Sequence, residues 1–316
     1  MRDNQGIFEA FVADGRPLLL FGGLSLALSG AFALFLSASG QFLPHDTQFL
    51  GMSAVELCEF LGCRVVDFMF HDRAAFGGTL MAMGILYMWL AEFPLKAGEA
   101  WAWWAFLLSG GVGFASFLTY LGYGYLDTWH GIATLLLLPC FAAGLAKTYG
   151  LIKPPNHLKS VLQPGTKVVW LSAAGLGRAG LLAVAVGLMG AGLTIMAVGM
   201  TIVFVPEDLA FMAAQVEELH HISPRLVPLI AHDRAGFGGG LASSGVAMLV
   251  SVWCARPSKS LWQTLCLAGS IGFGCAIGTH FVVGYTDFIH LLPAYLGAIL
   301  FGASIALSYK PMVLQA

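Results

Sequence analysis

The sequence predicts an all-α polytopic membrane protein with eight transmembrane helices arranged as two parallel four-helix repeats. Three observations lead there. Hydrophobic residues make up 58% of the 316 residues and charged residues only 10%, against roughly 25% charged in a soluble domain. Runs with little or no charge recur along the chain, each near the ~20 residues that a bilayer core requires. The octet His71-Asp72-Arg73-Ala74-Ala75-Phe76-Gly77-Gly78 returns as His232-Asp233-Arg234-Ala235-Gly236-Phe237-Gly238-Gly239, matching at seven of eight positions with an offset of 161 residues. A period of half the chain length marks a duplicated unit. The net charge of -2 supplies no basic field for nucleic acid. The expected partners are the lipid bilayer and a small-molecule or lipid substrate.

The boundaries that follow are 1–150 for the first repeat, 151–178 for a polar linker and 179–316 for the second repeat. The first span is Pro17–Ala38. It exceeds the ~7–15 apolar residues of a signal-peptide core, and its counterpart Ala179–Val205 is internal, so it is read as a retained helix. A long loop follows, in which Ser53-Ala54-Val55-Glu56 forms a capping box for a short helix ending near Gly62. The second copy keeps Glu217 but has Ala214 in place of Ser53. Spans two to four are Ala74–Ala91, Trp101–Leu126 and Thr128–Ala146, the third entered through Trp101, Trp103 and Trp104 as an interfacial aromatic belt. Spans six to eight are Ala235–Ala255, Leu261–Thr286 and Phe288–Tyr309. Asp127 and Asp287 mark matching hairpin turns. The glycine pairs of the octet fit neither a dinucleotide fingerprint nor a P-loop; glycine and other small residues here serve close helix packing.

Positive residues set the orientation. Eleven lie on the face that holds both termini and the linker, and four (Arg64, Arg73, Arg225, Arg234) on the other. The positive-inside rule then places both termini in the cytoplasm of a multi-pass plasma (inner) membrane protein. Cys58 and Cys63 fall in the outer loop, where the spacing suits either a disulfide or two packed apolar side chains.

Three elements recur in each copy and converge at the outer face. The first is Pro44-His45-Asp46, matched by Pro206-Glu207-Asp208. The second is the His-Asp-Arg triplet, placed at the start of spans two and six. The third is Tyr125-Leu126-Asp127-Thr128-Trp129-His130, matched by Tyr285-Thr286-Asp287-Phe288-Ile289-His290. A carboxylate and a histidine three apart on a bundle helix is the ligand geometry of carboxylate-bridged metal proteins. The candidate metal ligands are therefore His71, Asp127, His130 and Asp46 in one copy and His232, Asp287, His290 and Asp208 in the other. Asp72, Asp233, Arg73 and Arg234 are candidate catalytic or supporting groups. Mixed nitrogen and oxygen donors suit Zn, Fe or Mn. The second copy adds His220, His221 and His280, the last two helical turns before Asp287, so a single active half would be the second.

The same residues admit a structural reading. Asp72, Asp127, Asp233 and Asp287 would cap helices, and Arg73 would pair with Asp46 or Asp127 in a buried network. Three functions stay open: a metal-dependent membrane enzyme acting on a lipid-like or quinone-like substrate, a transporter or channel for a metal ion, proton or small solute, and a structural or assembly subunit. A bis-histidine haem carrier is disfavoured because the histidines gather at one face. With no charge expected at mid-depth, the enzyme is preferred over the transporter.

Overall fold

The computed structural model describes residues 6–118, 125, 128–154 and 158–315, with backbone only at residues 8, 10 and 128–130. In chain order the helices are α1 (Ile7–Val12), α2 (Arg16–Ser39), α3 (Pro44–Leu50), α4 (Ala54–Cys58), α5 (Arg64–Leu90), α6 (Ala100–Ser116), α7 (Thr128–Thr148), α8 (Ala173–Met200), α9 (Pro206–Met212), α10 (Val216–Ile222), α11 (Leu226–Cys254), α12 (Lys259–Val283) and α13 (Phe288–Tyr309). No strand occurs among the described residues. Seven helices are long and apolar enough to cross a membrane: α2, α5, α7, α8, α11, α12 and α13. The eighth expected span corresponds to α6, which is apolar but described over only 17 residues. Residues 119–124 and 126 of that span, with Asp127, lie outside the described residues.

Local chemistry explains most boundaries. Gly40 and Gly284 take left-handed φ values of 68° and 78° and end α2 and α12, a conformation that costs glycine least. Pro44 and Pro206 open α3 and α9, where a missing N–H is harmless. Ser53 and Glu56 form the expected capping box on α4. The second copy is capped instead through Glu218, whose carboxylate accepts from Gln215 N at 2.7 Å. Cys58 and Cys63 are joined as a disulfide.

Two expectations need correction. The His-Asp-Arg triplets do not begin their helices. Cys63 and Arg225 are the N-caps of α5 and α11, so His71 and His232 lie about two turns inside. The apolar segments ahead of them, around Val65–Phe70 and Leu226–Ile230, are buried in a core and extend each helix outward. Asp72 and Asp233 are therefore not caps. His280 is also not on a continuous helix with Asp287, because Gly284 interrupts the chain between them.

α5 and α11 are the central pair. α5 packs against α2, α11 and α12; α11 packs against α8, α6 and α5. The glycine pairs explain this. A Cβ on Gly77 would collide with the backbone of Gly30 on α2, and one on Gly78 would strike Cys275 on α12. At the matching positions, Gly238 abuts Gly192 on α8, and Gly239 abuts Ser116 on α6. The first glycine of each pair thus admits a helix of its own half, and the second a helix of the other half. Two apolar cores fill the ends. One joins α3, α4, α9 and α10 to the first turns of α5 and α11; the other gathers Leu86, Trp89, Phe106, Leu181 and Leu261 toward the end holding both termini. The charged triplets sit just inside the first.

Candidate metal centre

The ionic groups cross between the halves. Arg73 places Nη1 2.7 Å from Asp46 Oδ2 in its own half and Nε 2.8 Å from Asp233 Oδ2 in the other. Arg234 places Nη1 2.7 Å from Asp208 Oδ2 and Nε 3.1 Å from Asp72 Oδ2. Each guanidinium therefore bridges one carboxylate from each half. Aromatic faces line both: Phe42 by Arg73, and Phe68 and Phe204 by Arg234. The two remaining arginines of this end also cross over. Arg225 donates to Phe49 O at 2.8 Å and Arg64 to Phe211 O at 3.5 Å. Buried charge is tolerated only when paired and hydrogen-bonded. Here the pairing requires both halves.

Two tyrosines complete the network. Tyr125 donates to Asp46 Oδ1 and Tyr285 to Asp208 Oδ1, each at 2.8 Å. The sequence reading named neither as a site residue, although each stands two residues before an aspartate of the third recurring element. Tyr285 lies in the turn between α12 and α13. Burial first, and the Asp208 carboxylate second, push its phenol pKa well above the ordinary tyrosine value, so it remains a donor.

The histidines also meet across the halves. His71, from α5, stands with His280 and His290, from α12 and α13. One ring nitrogen of each lies within 4.8 Å of the others. Their hydrogen bonds assign the tautomers. His280 Nδ1 lies 2.6 Å from Ala276 O and must donate to it. Tyr285 gives its proton to Asp208, so its oxygen accepts from His290 Nδ1 at 3.1 Å. His71 Nδ1 faces Asp72 Oδ1 at 3.3 Å, an oxygen that only accepts. With Nδ1 donating in His280 and His290, Nε2 of each of these neutral rings keeps its lone pair. His71 Nε2 and His280 Nε2 lie 2.9 Å apart. The His280 lone pair at that distance is satisfied by a proton on His71 Nε2 or by a cation shared between the two rings.

The other expected ligands are placed differently. Asp46, Asp208, Asp72 and Asp233 are held by the arginines. Asp287 is exposed and caps α13, accepting from His290 N at 2.8 Å. His232 faces Asp233 Oδ1 at 3.2 Å and packs edge-on to Tyr125; among the described residues it is not in the three-histidine group. Asp127 and the side chain of His130 lie outside the described residues. The structure therefore brings His290 to His71 and His280, not to His232 and Asp287.

A cavity of about 340 Å³ lies at the same end of the molecule, with Ser37, Ala54, Asp67, Phe70 and Val283 in its lining. Asp67 precedes His71 by four residues on α5, and Val283 follows His280 by three on α12. These two lining residues thus stand about one helical turn along α5 and α12 from His71 and His280, and none of the three histidines lines the cavity. His290 is the half-buried member of the cluster, whereas His71 and His280 are buried. No protein family, curated protein or solved structure matches the chain.

Proposed function

We propose that this is a metal-dependent membrane enzyme with one metal centre, held by His71, His280 and His290 between two parallel repeats. The observation that carries the reading is the approach of one ring nitrogen each of His71, His280 and His290 to within 4.8 Å, with the Nδ1 protons of His280 and His290 committed to Ala276 and Tyr285. Three neutral nitrogens suit Zn or Fe better than Mn. A three-histidine set also keeps an open coordination position, and the bound ion would supply Lewis acidity there. Ala276, Tyr285 and Asp72 orient the rings; partners of this kind set ligand basicity and metal affinity. The cavity at this end is walled mainly by apolar residues, from α2, α4, α5 and α12. It suits a lipid-like or quinone-like substrate arriving from the bilayer. In this reading the cluster faces the outside, and both termini, with eleven of the positive residues, are cytoplasmic.

Metal analysis of the detergent-purified protein tests the proposal. One equivalent of metal per chain is expected, absent from His280→Ala and His290→Ala variants that still elute as folded protein. Wild-type protein that holds no metal, even after incubation with Zn and Fe, would refute it. The 2.9 Å separation of His71 and His280 also suits a shared proton, which would make the cluster a proton carrier. The metal-free outcome selects that second reading.

A further inference from the structure

The opposite end of the molecule presents a charge problem of its own. No Asp or Glu occurs in residues 128–206 or 288–316, and none from Arg234 to Thr286. These stretches supply the linker, the start of α8, the α11–α12 turn and the C-terminal segment. They nevertheless carry Lys147, Lys153, Lys159, Lys167, Arg178, Arg256, Lys259 and Lys310. Arg178 shows the consequence. Its counterpart Arg16, at the start of α2, is neutralised by Asp14 at 2.8 Å and Glu92 at 3.5 Å. Among the described residues, Arg178 meets only uncharged oxygens: Val252 O at 3.1 Å, Thr166 Oγ1 at 3.2 Å, Thr166 O at 3.4 Å and Trp253 O. It is half-buried, with Trp253 against its guanidinium.

Arg178 and Lys167 both line a cleft of about 270 Å³. Thr166 and Ser172 add hydroxyls to its polar part. Leu181, Leu261, Leu265 and Met312 form the apolar part. From Gly175 to Leu181 the cleft follows α8 for ~9 Å toward the membrane interior. Two cations at the interface with an apolar slot beneath them match a molecule with an anionic head and a hydrocarbon tail.

We infer that this cleft is a binding site for an anionic phospholipid, with the headgroup phosphate between Lys167 and Arg178 and an acyl chain against Leu181 and Leu265. The lipid supplies the negative charge that these stretches lack. Charge-assisted bonds from a guanidinium to phosphate are among the stronger hydrogen bonds. The site is independent of the histidine cluster.

The test uses the full chain in neutral detergent, titrated with phosphatidylglycerol in mixed micelles and followed by thermal unfolding. Phosphatidylglycerol should raise the melting temperature saturably, whereas phosphatidylcholine and inorganic phosphate should not. Removing one cation should weaken half-saturation about fivefold, in Lys167→Gln as in Arg178→Gln. Arg16→Gln should leave half-saturation unchanged. Lys167 is exposed, so its variant remains informative even if Arg178→Gln fails to fold. Equal stabilisation by phosphatidylcholine, full stabilisation by phosphate alone, or an unchanged half-saturation in Lys167→Gln would each overturn the assignment.

Discussion

Replacing Tyr285 by Phe removes one oxygen that serves two partners. That oxygen donates to Asp208 Oδ1 at 2.8 Å and accepts from His290 Nδ1 at 3.1 Å. Asp208 keeps Arg234 at 2.7 Å and the Val205 amide at 2.9 Å, so the metal-free fold should lose only ~1.5 kcal/mol, the low end for a hydrogen bond to a charged group. His290 loses the acceptor that fixes its tautomer. Loss of such a partner costs about 10–100-fold in metal affinity. Calorimetric titration of the apoprotein with Zn, alongside chemical unfolding, separates the two effects. Tyr87→Phe is the control: its hydroxyl bonds Ser109 at 2.8 Å in the other core, so it should lower stability and leave Zn affinity alone. A Zn affinity within twofold of wild type in Tyr285→Phe, or an equal loss in Tyr87→Phe, would refute the tautomer argument. The same phenol predicts a pH dependence. Its folded pKa is raised, so above about pH 10 the unfolded chain has lost a proton that the folded chain retains. The contribution of this phenol to stability should therefore be flat through neutral pH and fall above pH ~10, by at most ~1.4 kcal/mol per unit. Tyr285→Phe should reduce the slope above pH ~10 by that amount.

Other substitutions test the frame. Arg234→Met leaves Asp72 and Asp208 without their shared guanidinium and should cost ~3–5 kcal/mol; adding Asp72→Asn and Asp208→Asn should recover more than half. A loss below ~1 kcal/mol for the single change would mean that the network contributes little. Gly30→Ala should cost ~1–3 kcal/mol through overlap with the Gly77 backbone, while Gly22→Ala, which meets nothing, should be neutral or mildly stabilising. Equal effects would contradict the α2–α5 crossing. Reporter fusions at Tyr309 and within the 151–178 linker should both read cytoplasmic, and an external reading at either would reverse the orientation.

Hydropathy and turn chemistry made the helices legible, and the octet identified α5 and α11 as special. Its glycine pairs were readable as packing devices, though not which helix each would admit. The site was legible as a set of residues at one end but not as a set of partners. Spacing reports which side chains share a helix; it is silent on which helix lies opposite. His71 therefore looked toward His130 in its own half, while its actual neighbour His280 comes from 209 residues away. The triplets resembled helix starts because charge usually marks the membrane boundary. Cross-half pairing is what lets the charges lie two turns deeper, and pairing of that range leaves no local trace.

The crossed arginine bridges also bear on how the protein is made. A ribosome delivers α5 to the membrane well before α11. Asp72 thus enters the bilayer 162 residues ahead of Arg234, the guanidinium that will hold it. A carboxylate at the centre of an inserting helix costs about 2.5–3.5 kcal/mol, and Asp72, about two turns inside α5, bears part of that cost. Until the later helix arrives, α5 has only its apolar length to offset that cost. Asp233 and Arg234 face no such wait, because Arg73 and Asp72 already stand in the membrane when they emerge. The first half is the provisional one during biogenesis, and synthesis of the second half completes its insertion.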